Sequence, residues 1–375
     1  MSLLPALETP RQKADFMRVA IVHHWFVGYR GGEKVIENML ELYPDADLFT
    51  LFWEPDKLPE VFRRRKVTTS FLNRFSIFKR NHRLALPLMP LALEQLDVRG
   101  YDLVISSESG PAKAVLADPE AVHICYINSP MRYIWDMYHE YRQSMGWLQR
   151  MFFTPLAHYL RRWDRSTSMG VDHFVANSSF VAKRVHRCYH RDSTVVHPPV
   201  DMDMFAPSGK NGDYFFAIAE MVPYKRMDLA VQAFRGLDAK LKMAGSGPDL
   251  GKLRAMAPPN VEFLGRVDDD RLRTLYAEAR AFIFPGKEDF GITPLEANAS
   301  GTPVIAYRAG GILDTQTDET AVFFDEQTPE AVAAAVRTFM EREGGFSADA
   351  LRANAARFSR DEFKRRFKAV VDGVF

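Results

Sequence analysis

Residues 281–306 read AFIFPGKEDFGITPLEANASGTPVIA. Ala281 to Phe284 is a short apolar run of the kind that forms a buried strand, and Pro285 and Gly286 break it. Lys287, Glu288 and Asp289 therefore emerge at the strand's carboxyl end. Phe290 and Gly291 follow as a loop whose glycine lets backbone approach a ligand closely. Thr293 is placed as a helix N-cap, Pro294 at the first helical position and Glu296 where a capping box would have it. Pro303 to Ala306 returns as a second strand. Strand, helix and strand in that order make a βαβ unit, which calls for a parallel sheet.

The same rhythm runs outward in both directions. Ahead of it come apolar runs at Tyr214–Ala219, Ala239–Ala244 and Val261–Leu264, with helical patterns at Met227–Phe234 and Arg271–Ala279 between them. The first half repeats the rhythm at Arg18–His23, Leu103–Ser106, His123–Ile127 and His173–Ala176. Between Asp203 and Gly212 both periods vanish and Pro207, Ser208, Gly209, Asn211 and Gly212 cluster. The expected fold class is α/β, with two Rossmann-like domains facing across a cleft: residues 17–205, residues 206–350, and a last amphipathic helix within 351–375 crossing back to the first domain.

Composition agrees with a globular chain of more than one domain: 375 residues, 47% hydrophobic and 26% charged. A net charge of +1 excludes a globally basic nucleic-acid coat. Two cysteines, Cys125 and Cys188, without metal-ligand spacing fit a reducing, intracellular setting. Glu8, Arg11, Lys13 and Asp15 interrupt the apolar stretch that an export signal would need. The best candidate span, Leu84 to Leu93, is short and broken by Pro87 and Pro90, so no membrane crossing is expected.

Charges at the end of a buried strand need a reason. Glu296 has one without any ligand, because a glutamate near a helix start can satisfy backbone N–H groups. Glu288 largely lacks one. The segment PGKEDFGITPLEANASGTPVIA resembles the E-x7-E region of glycosyltransferase family 4, retaining enzymes of the GT-B fold, with Glu288 and Glu296 as its two glutamates. The resemblance continues through Val222–Asp228 (VPYKRMD), Ala244–Pro248 (AGSGP), Val261–Val267 (VEFLGRV), Arg30–Lys34 (RGGEK) and Asn128–Asp136 (NSPMRYIWD). Within the family it is similar to mannosyltransferases of bacterial O-antigen and exopolysaccharide assembly.

That resemblance implies a hexosyltransferase using a nucleotide-diphosphate sugar, GDP-mannose by the subgroup, with no cofactor and no metal. It places Glu288 beside the donor sugar hydroxyls, Glu296 on the ribose, and the backbone of Phe290, Gly291 and Ile292 around sugar and phosphate. Lys225, Arg226 and Arg266 would meet the diphosphate, whose charge grows as the glycosidic bond breaks, and Gly31 and Gly32 would add backbone donors. Asn128 occupies the place near the donor sugar where the family usually has histidine, and Glu220 the place of an arginine five residues before Lys225. His23, His24 and His123 are alternatives by proximity in sequence, although a histidine on or beside a strand is more often a packed core or rim residue. Asp201-Met202-Asp203 matches a metal-binding spelling but adjoins the linker, and it is set aside.

From Val61 to Leu93 there is no acidic residue, while Arg63, Arg64, Arg65, Lys79 and Arg80 alternate with aromatics. Such a run suits an anionic membrane surface, and it equally reads as the solvated face of a helix. No nucleic-acid motif accompanies it, so nucleic acid is not an expected partner. The expected acceptor is a lipid-linked oligosaccharide or another glycan, met on the cytoplasmic face of the inner membrane. Arg132 and Trp135, in the aromatic-rich stretch from Met131 to Arg150, are placed on the acceptor side, with core packing as the other reading. Another enzyme of the same fold, such as an epimerase or a phosphorylase, and a transferase retained as a partner subunit are the competing functions.

Overall fold

The computed structural model describes residues 17–210 and 212–375. The residues read for an export signal, Glu8, Arg11, Lys13 and Asp15, and Asn211 of the linker lie outside the described residues, as does the side chain of Arg83.

The chain divides into two compact units. The first runs to Asn177 and includes Val181–Val196 and Lys364–Phe375; the second is Ser178–Phe180 with His197–Phe363. In the first unit seven strands pair in the order β3-β2-β1-β4-β5-β6-β7. They are β1 (Val19–His23), β2 (Asp47–Thr50), β3 (Val67–Thr69), β4 (Leu103–Glu108), β5 (Val122–Ile127), β6 (His173–Ala176) and β7 (Ser193–Val195). Every ladder is parallel. Covered on both faces, such strands are buried throughout: all five residues of β1 and all six of β4 are buried, the last three of β4 being Ser106, Ser107 and Glu108.

The second unit holds β8 (Tyr214–Ile218), β9 (Lys240–Ala244), β10 (Val261–Gly265), β11 (Phe282–Phe284), β12 (Val304–Tyr307) and β13 (Ala321–Phe324). Their order is β10-β9-β8-β11-β12-β13, again all parallel. One face of this sheet packs Phe215, Ala217, Leu241 and Ile283 against the helices Met227–Ala233 and Pro329–Arg342. The other packs Phe216, Phe282, Phe284 and Val304 against Tyr276, Leu295 and Phe358. Both units are therefore Rossmann-like α/β sheets whose strand order reverses once, between β1 and β4 and between β8 and β11. Ligands of open parallel sheets gather at the carboxyl ends of the strands beside such a reversal.

The last helix, Arg360–Asp372, begins in the second unit and ends in the first. There Lys364 Nζ lies 2.9 Å from Glu41 Oε2 and the Phe367 ring 6.2 Å from that of Tyr126. The stretch Val61–Leu93 is not one helix: it breaks into Glu60–Arg63, β3, the turns Phe71–Arg74 and His82–Ala85, and the short helices Ser76–Arg80 and Met89–Glu94. A single solvated helical face is thus not what its basic residues form.

Candidate functional site

At the reversal in the second sheet, β8 ends at Ile218 and the chain descends through Ala219–Val222 into a single turn, Pro223–Lys225. Arg226 then adopts the left-handed conformation (φ 52°), and the helix Met227–Ala233 begins. Next door, β11 ends at Phe284 and the chain turns through Pro285 and Gly286. A Cβ on Gly286 would stand 3.0 Å from the Lys225 carbonyl oxygen, so the two loops touch backbone to backbone. This closeness brings the Lys225 ammonium onto the Glu288 carboxylate as an ion pair, with side chains only 16% and 18% exposed. Sequence reasoning placed Glu288 at a strand end and gave it and Lys225 separate tasks; it did not anticipate that they meet.

Glu288 is held from a second side. Gly311 N donates to the Glu288 carbonyl at 2.9 Å. A Cβ on Gly310 (φ 89°) would stand 2.4 Å from that carbonyl oxygen, and one on Gly311 would stand 2.2 Å from Asp289 O. Only glycine fits there. Sequence reasoning missed these two residues, although a Gly-Gly pair just after a strand was the available signal.

The helix after this loop corrects one expectation. It spans Ile292–Ala299, with Gly291 (φ 88°) as its cap and no side-chain capping bond. Thr293 therefore lies inside the first turn, and the expected capping box is absent because a left-handed glycine starts the helix earlier. Glu296, 8% exposed, instead accepts a 3.0 Å hydrogen bond from the Tyr276 hydroxyl. Burial first, and then the Glu296 charge, push that phenol well above its ordinary pKa, so it stays a donor. The backbone after Phe290 opens the helix, where the first N–H groups have no intrahelical acceptor and point toward any anion.

The β9 loop completes this end of the sheet. Gly245 (φ 118°) and Gly247 (φ 159°) lie against the segment after β8, where added Cβ atoms would come within 1.9 Å of Ala219 O and 2.5 Å of Met221 O. Met221 N donates to Ser246 O at 2.9 Å, and Arg266 Nε donates to Ser246 Oγ at 3.0 Å. The exposed Glu220 and Arg266 thus belong to one loop cluster. Arg226 Nε sits 3.2 Å from Asp228 Oδ1, both side chains about one-third exposed. Asp201 accepts from the amides of Asp203 and Met204, each at 3.1 Å, so its carboxylate caps a turn.

In the first unit Gly31 and Gly32 are the first residues of the helix Gly31–Leu42. Glu33 Oε2 accepts from Arg30 N at 3.0 Å, and His23 Nε2 lies 3.8 Å from its other oxygen. His23 Nδ1 is 2.8 Å from Ser107 O. His24 is buried, and burial followed by the neighbouring His23 holds its pKa well down. His123 is fully buried between Ser106 Oγ (2.9 Å) and Gly170 O (3.1 Å), its pKa pushed down to about 4 by burial. It is a core residue.

Asn128, half-buried just past β5, donates its amide to Glu108 O at 2.7 Å and accepts from Asn177 Nδ2 at 3.1 Å. Arg132 Nε reaches Ser129 Oγ at 3.3 Å. The Trp135 indole turns inward and donates to Asp164 Oδ2 at 2.7 Å. Among the basic residues, Arg63 and Arg80 are exposed, Arg64 pairs with Glu60 at 2.6 Å, and Arg65 and Lys79 are half-buried.

Among the described residues no helix is long and apolar enough to cross a membrane, and no group of three or more His, Cys, Asp and Glu could hold a metal ion. Residues 29–204 match the model of Glycosyltransferase Family 4, and residues 203–358 that of Glycosyl transferases group 1. A GDP-mannose-dependent alpha-(1-6)-phosphatidylinositol dimannoside mannosyltransferase of Mycobacterium tuberculosis is 35% identical over 117 residues, 30% of each chain. A D-rhamnosyltransferase of Pseudomonas aeruginosa is 32% identical over 159 residues, 37% of this chain and 42% of its own. The matched parts thus span less than half of either relative. Anabaena HepE, solved in complex with UDP and glucose, superposes with a TM-score of 0.71 at 14% identity, covering 95% of this chain and 99% of its own. Sucrose-phosphate synthase from Thermosynechococcus elongatus does so with a TM-score of 0.71 at 15% identity, covering 96% and 99%. With two family models dividing residues 29–358 and the same topology in these solved neighbours, the chain belongs to the family 4 and group 1 glycosyltransferases of the GT-B fold.

Proposed function

We propose that the protein is a retaining, metal-independent hexosyltransferase. It would move mannose from GDP-mannose to a lipid-linked or glycan acceptor in bacterial cell-surface polysaccharide synthesis, at the cytoplasmic face of the inner membrane. The observation that carries this reading is Glu288, held beside Lys225 at the strand reversal of the second sheet. A carboxylate accepts sugar hydroxyls through charge-assisted bonds, and an adjacent ammonium takes up phosphate charge. When the donor arrives, Lys225 passes from carboxylate to diphosphate and Glu288 turns to the sugar.

Arg226, Arg266 and the amides of Phe290, Gly291 and Ile292 supply the remaining positive potential, which a divalent ion would otherwise provide. Glu296 takes the ribose with the capacity that Tyr276 leaves it. Gly31 and Gly32 are proposed as backbone donors to an anion and Asn128 as a hydrogen-bond partner of the sugar. The GDP-mannose-dependent mannosyltransferase relative supports a GDP-linked hexose, the D-rhamnosyltransferase relative supports sugar transfer, and the UDP complex of HepE supports a nucleotide-diphosphate donor.

A panel of nucleotides and nucleotide sugars tested by thermal shift is expected to show the largest rise with GDP-mannose, since binding to the native state raises stability by mass action. Stability unmoved by every nucleotide sugar would remove the reading. Proton NMR of the product should show the donor's anomeric configuration, and turnover should survive chelators.

Glu220 favours a second reading, a transferase retained as a partner subunit, because an exposed carboxylate in the phosphate loop repels a diphosphate. Glu220→Arg is expected to tighten GDP binding about tenfold or more, a charged hydrogen bond being worth roughly 1.5–3 kcal/mol. Calorimetry giving unchanged or weaker binding would take Glu220 out of the phosphate site.

A further inference from the structure

The helix Trp147–Thr167 in the first unit has 21 residues and two apolar faces. One face, carrying Phe153, Ala157 and Leu160, is buried in the core beside Met131 and Ile134. The opposite face should be polar in an ordinary surface helix. Here its first turns present Trp147 (76% exposed), Leu148 (50%), Met151 (55%), Phe152 (66%) and Tyr159 (51%). At 100° per residue these side chains fall within one outward sector, and Pro155 falls between them. Farther along, the same sector carries Arg162 and Arg165.

Two more observations say what covers this face. The helix has a single acidic residue, Asp164, and its carboxylate is fully buried, so the helix itself puts no negative charge on its outward side; the Glu94 carboxylate that accepts from Trp163 stands at its flank. The guanidinium groups of Arg162 and Arg165 make no hydrogen bond or ion pair to a described residue, and with Arg191 these residues line a cavity of about 420 Å³. Carbonyls of Ser168 and Val171, at 3.0 and 2.7 Å, fix the Arg191 guanidinium without neutralising it. Met169, 81% exposed, stands at the rim. Exposed apolar side chains, a Trp and a Tyr, and unpaired arginines opening on a hollow with room for a phosphate form the pattern of a helix lying in a bilayer interface.

We infer that Trp147–Thr167 is an in-plane anchor whose outward face sinks into an anionic bilayer, with a lipid phosphate seated among Arg162, Arg165 and Arg191. The anchor is distinct from the basic run around Arg63–Arg65, and it stands whether or not the chain transfers sugar. A second copy docking helix to helix would bring arginine to arginine with no carboxylate to answer it.

The test mixes the intact chain with vesicles of phosphatidylcholine alone or with phosphatidylglycerol, and follows sedimentation and tryptophan emission. The wild type should sediment with the anionic vesicles, with a blue shift in emission that Trp147→Phe removes. Met151→Ser/Phe152→Ser should lower partition at least about tenfold at low and high salt alike, because it removes two large apolar side chains. Arg162→Glu/Arg165→Glu should lower it only on anionic vesicles, and charge reversal at Arg63–Arg65 should leave the emission shift in place. Thermal shift with nucleotide in each variant separates loss of the anchor from loss of the fold. The inference is overturned if Met151→Ser/Phe152→Ser partitions like the wild type, or if the Trp147 emission does not respond. It is likewise overturned if these changes abolish a concentration-dependent dimer while vesicles are ignored.

Discussion

Glu288→Gln should leave a folded protein whose sugar transfer is slower by about 10²- to 10³-fold, the range for removing one preorganised electrostatic group from a transition state. The substitution keeps the shape and one carbonyl acceptor but discards the charge, so hydroxyl bonds weaken as positive charge grows on the sugar ring. Lys225 loses its partner as well. With 16% of its side chain exposed, it can turn to water, so the melting temperature should change little. Glu296→Gln should behave differently. That carboxylate is more deeply buried and holds Tyr276, so the change should raise KM for the donor and lower stability more than it lowers turnover. Initial rates with labelled donor, beside melting curves for both variants, make the comparison. Turnover of Glu288→Gln within tenfold of the wild type would take Glu288 out of the reacting centre.

The parallel strands announce themselves because burial on both faces leaves no polar alternation. His173–Ala176 coincides with its apolar run, and Tyr214–Ile218 and Lys240–Ala244 fall within one residue of theirs. β3 (VTT) and β7 (STV) are three-residue edge strands with half-exposed polar side chains, and their β-branched residues form no apolar run to mark them. β2 (DLFT) opens on Asp47 and ends on Thr50, and β13 (AVFF) is a four-residue run between Thr320 and Asp325. In the candidate site, Glu288 was legible because a charge at the end of a buried strand lacks a packing reason. Its pairing with Lys225 was not, since the pair depends on the crossover from β10 that carries the chain back across the sheet and sets β11 beside β8. The start of the helix at Ile292 was misread because threonine and proline signal a cap, while the left-handed Gly291 was free to supply one.

Least legible of all was a buried charge cluster in the first unit, and it carries the largest stability effect. Lys113 has no accessible side-chain surface, and neither do Glu108 and Asp164. Its ammonium pairs with Asp164 and lies 3.3 Å from Glu108 Oε1, and Trp135 and Tyr189 donate to Asp164 at 2.7 and 2.9 Å. A lysine is read as a surface residue by default. The only hint was its setting among small apolar neighbours, Pro111, Ala112, Ala114 and Val115. Lys113→Met would leave two carboxylates buried without a cation, and should cost about 3–5 kcal/mol.

The pH dependence of the cluster distinguishes this account from simple packing. Burial raises the Glu108 pKa from 4.5 to about 7, against the pull of Lys113 and with help from Asp164. A carboxyl raised in the folded state contributes stability that is complete below its unfolded pKa and is lost as pH rises through the folded value. Burial alone would lower the Lys113 pKa, but Asp164 and Glu108 outweigh it and raise it, so its own contribution fades only in strong alkali. Buried His24 and His123, both lowered chiefly by burial, act in the opposite sense and lose stability as pH falls. The wild-type profile therefore mixes the two, and the difference from Glu108→Gln isolates the carboxyl. Between about pH 4.5 and pH 7 the wild type should lose roughly 3 kcal/mol relative to the glutamine variant. Urea midpoints followed by circular dichroism across that window would show it. Two profiles running parallel would mean that Glu108 is ionised throughout and that Lys113 holds both carboxylates as charges.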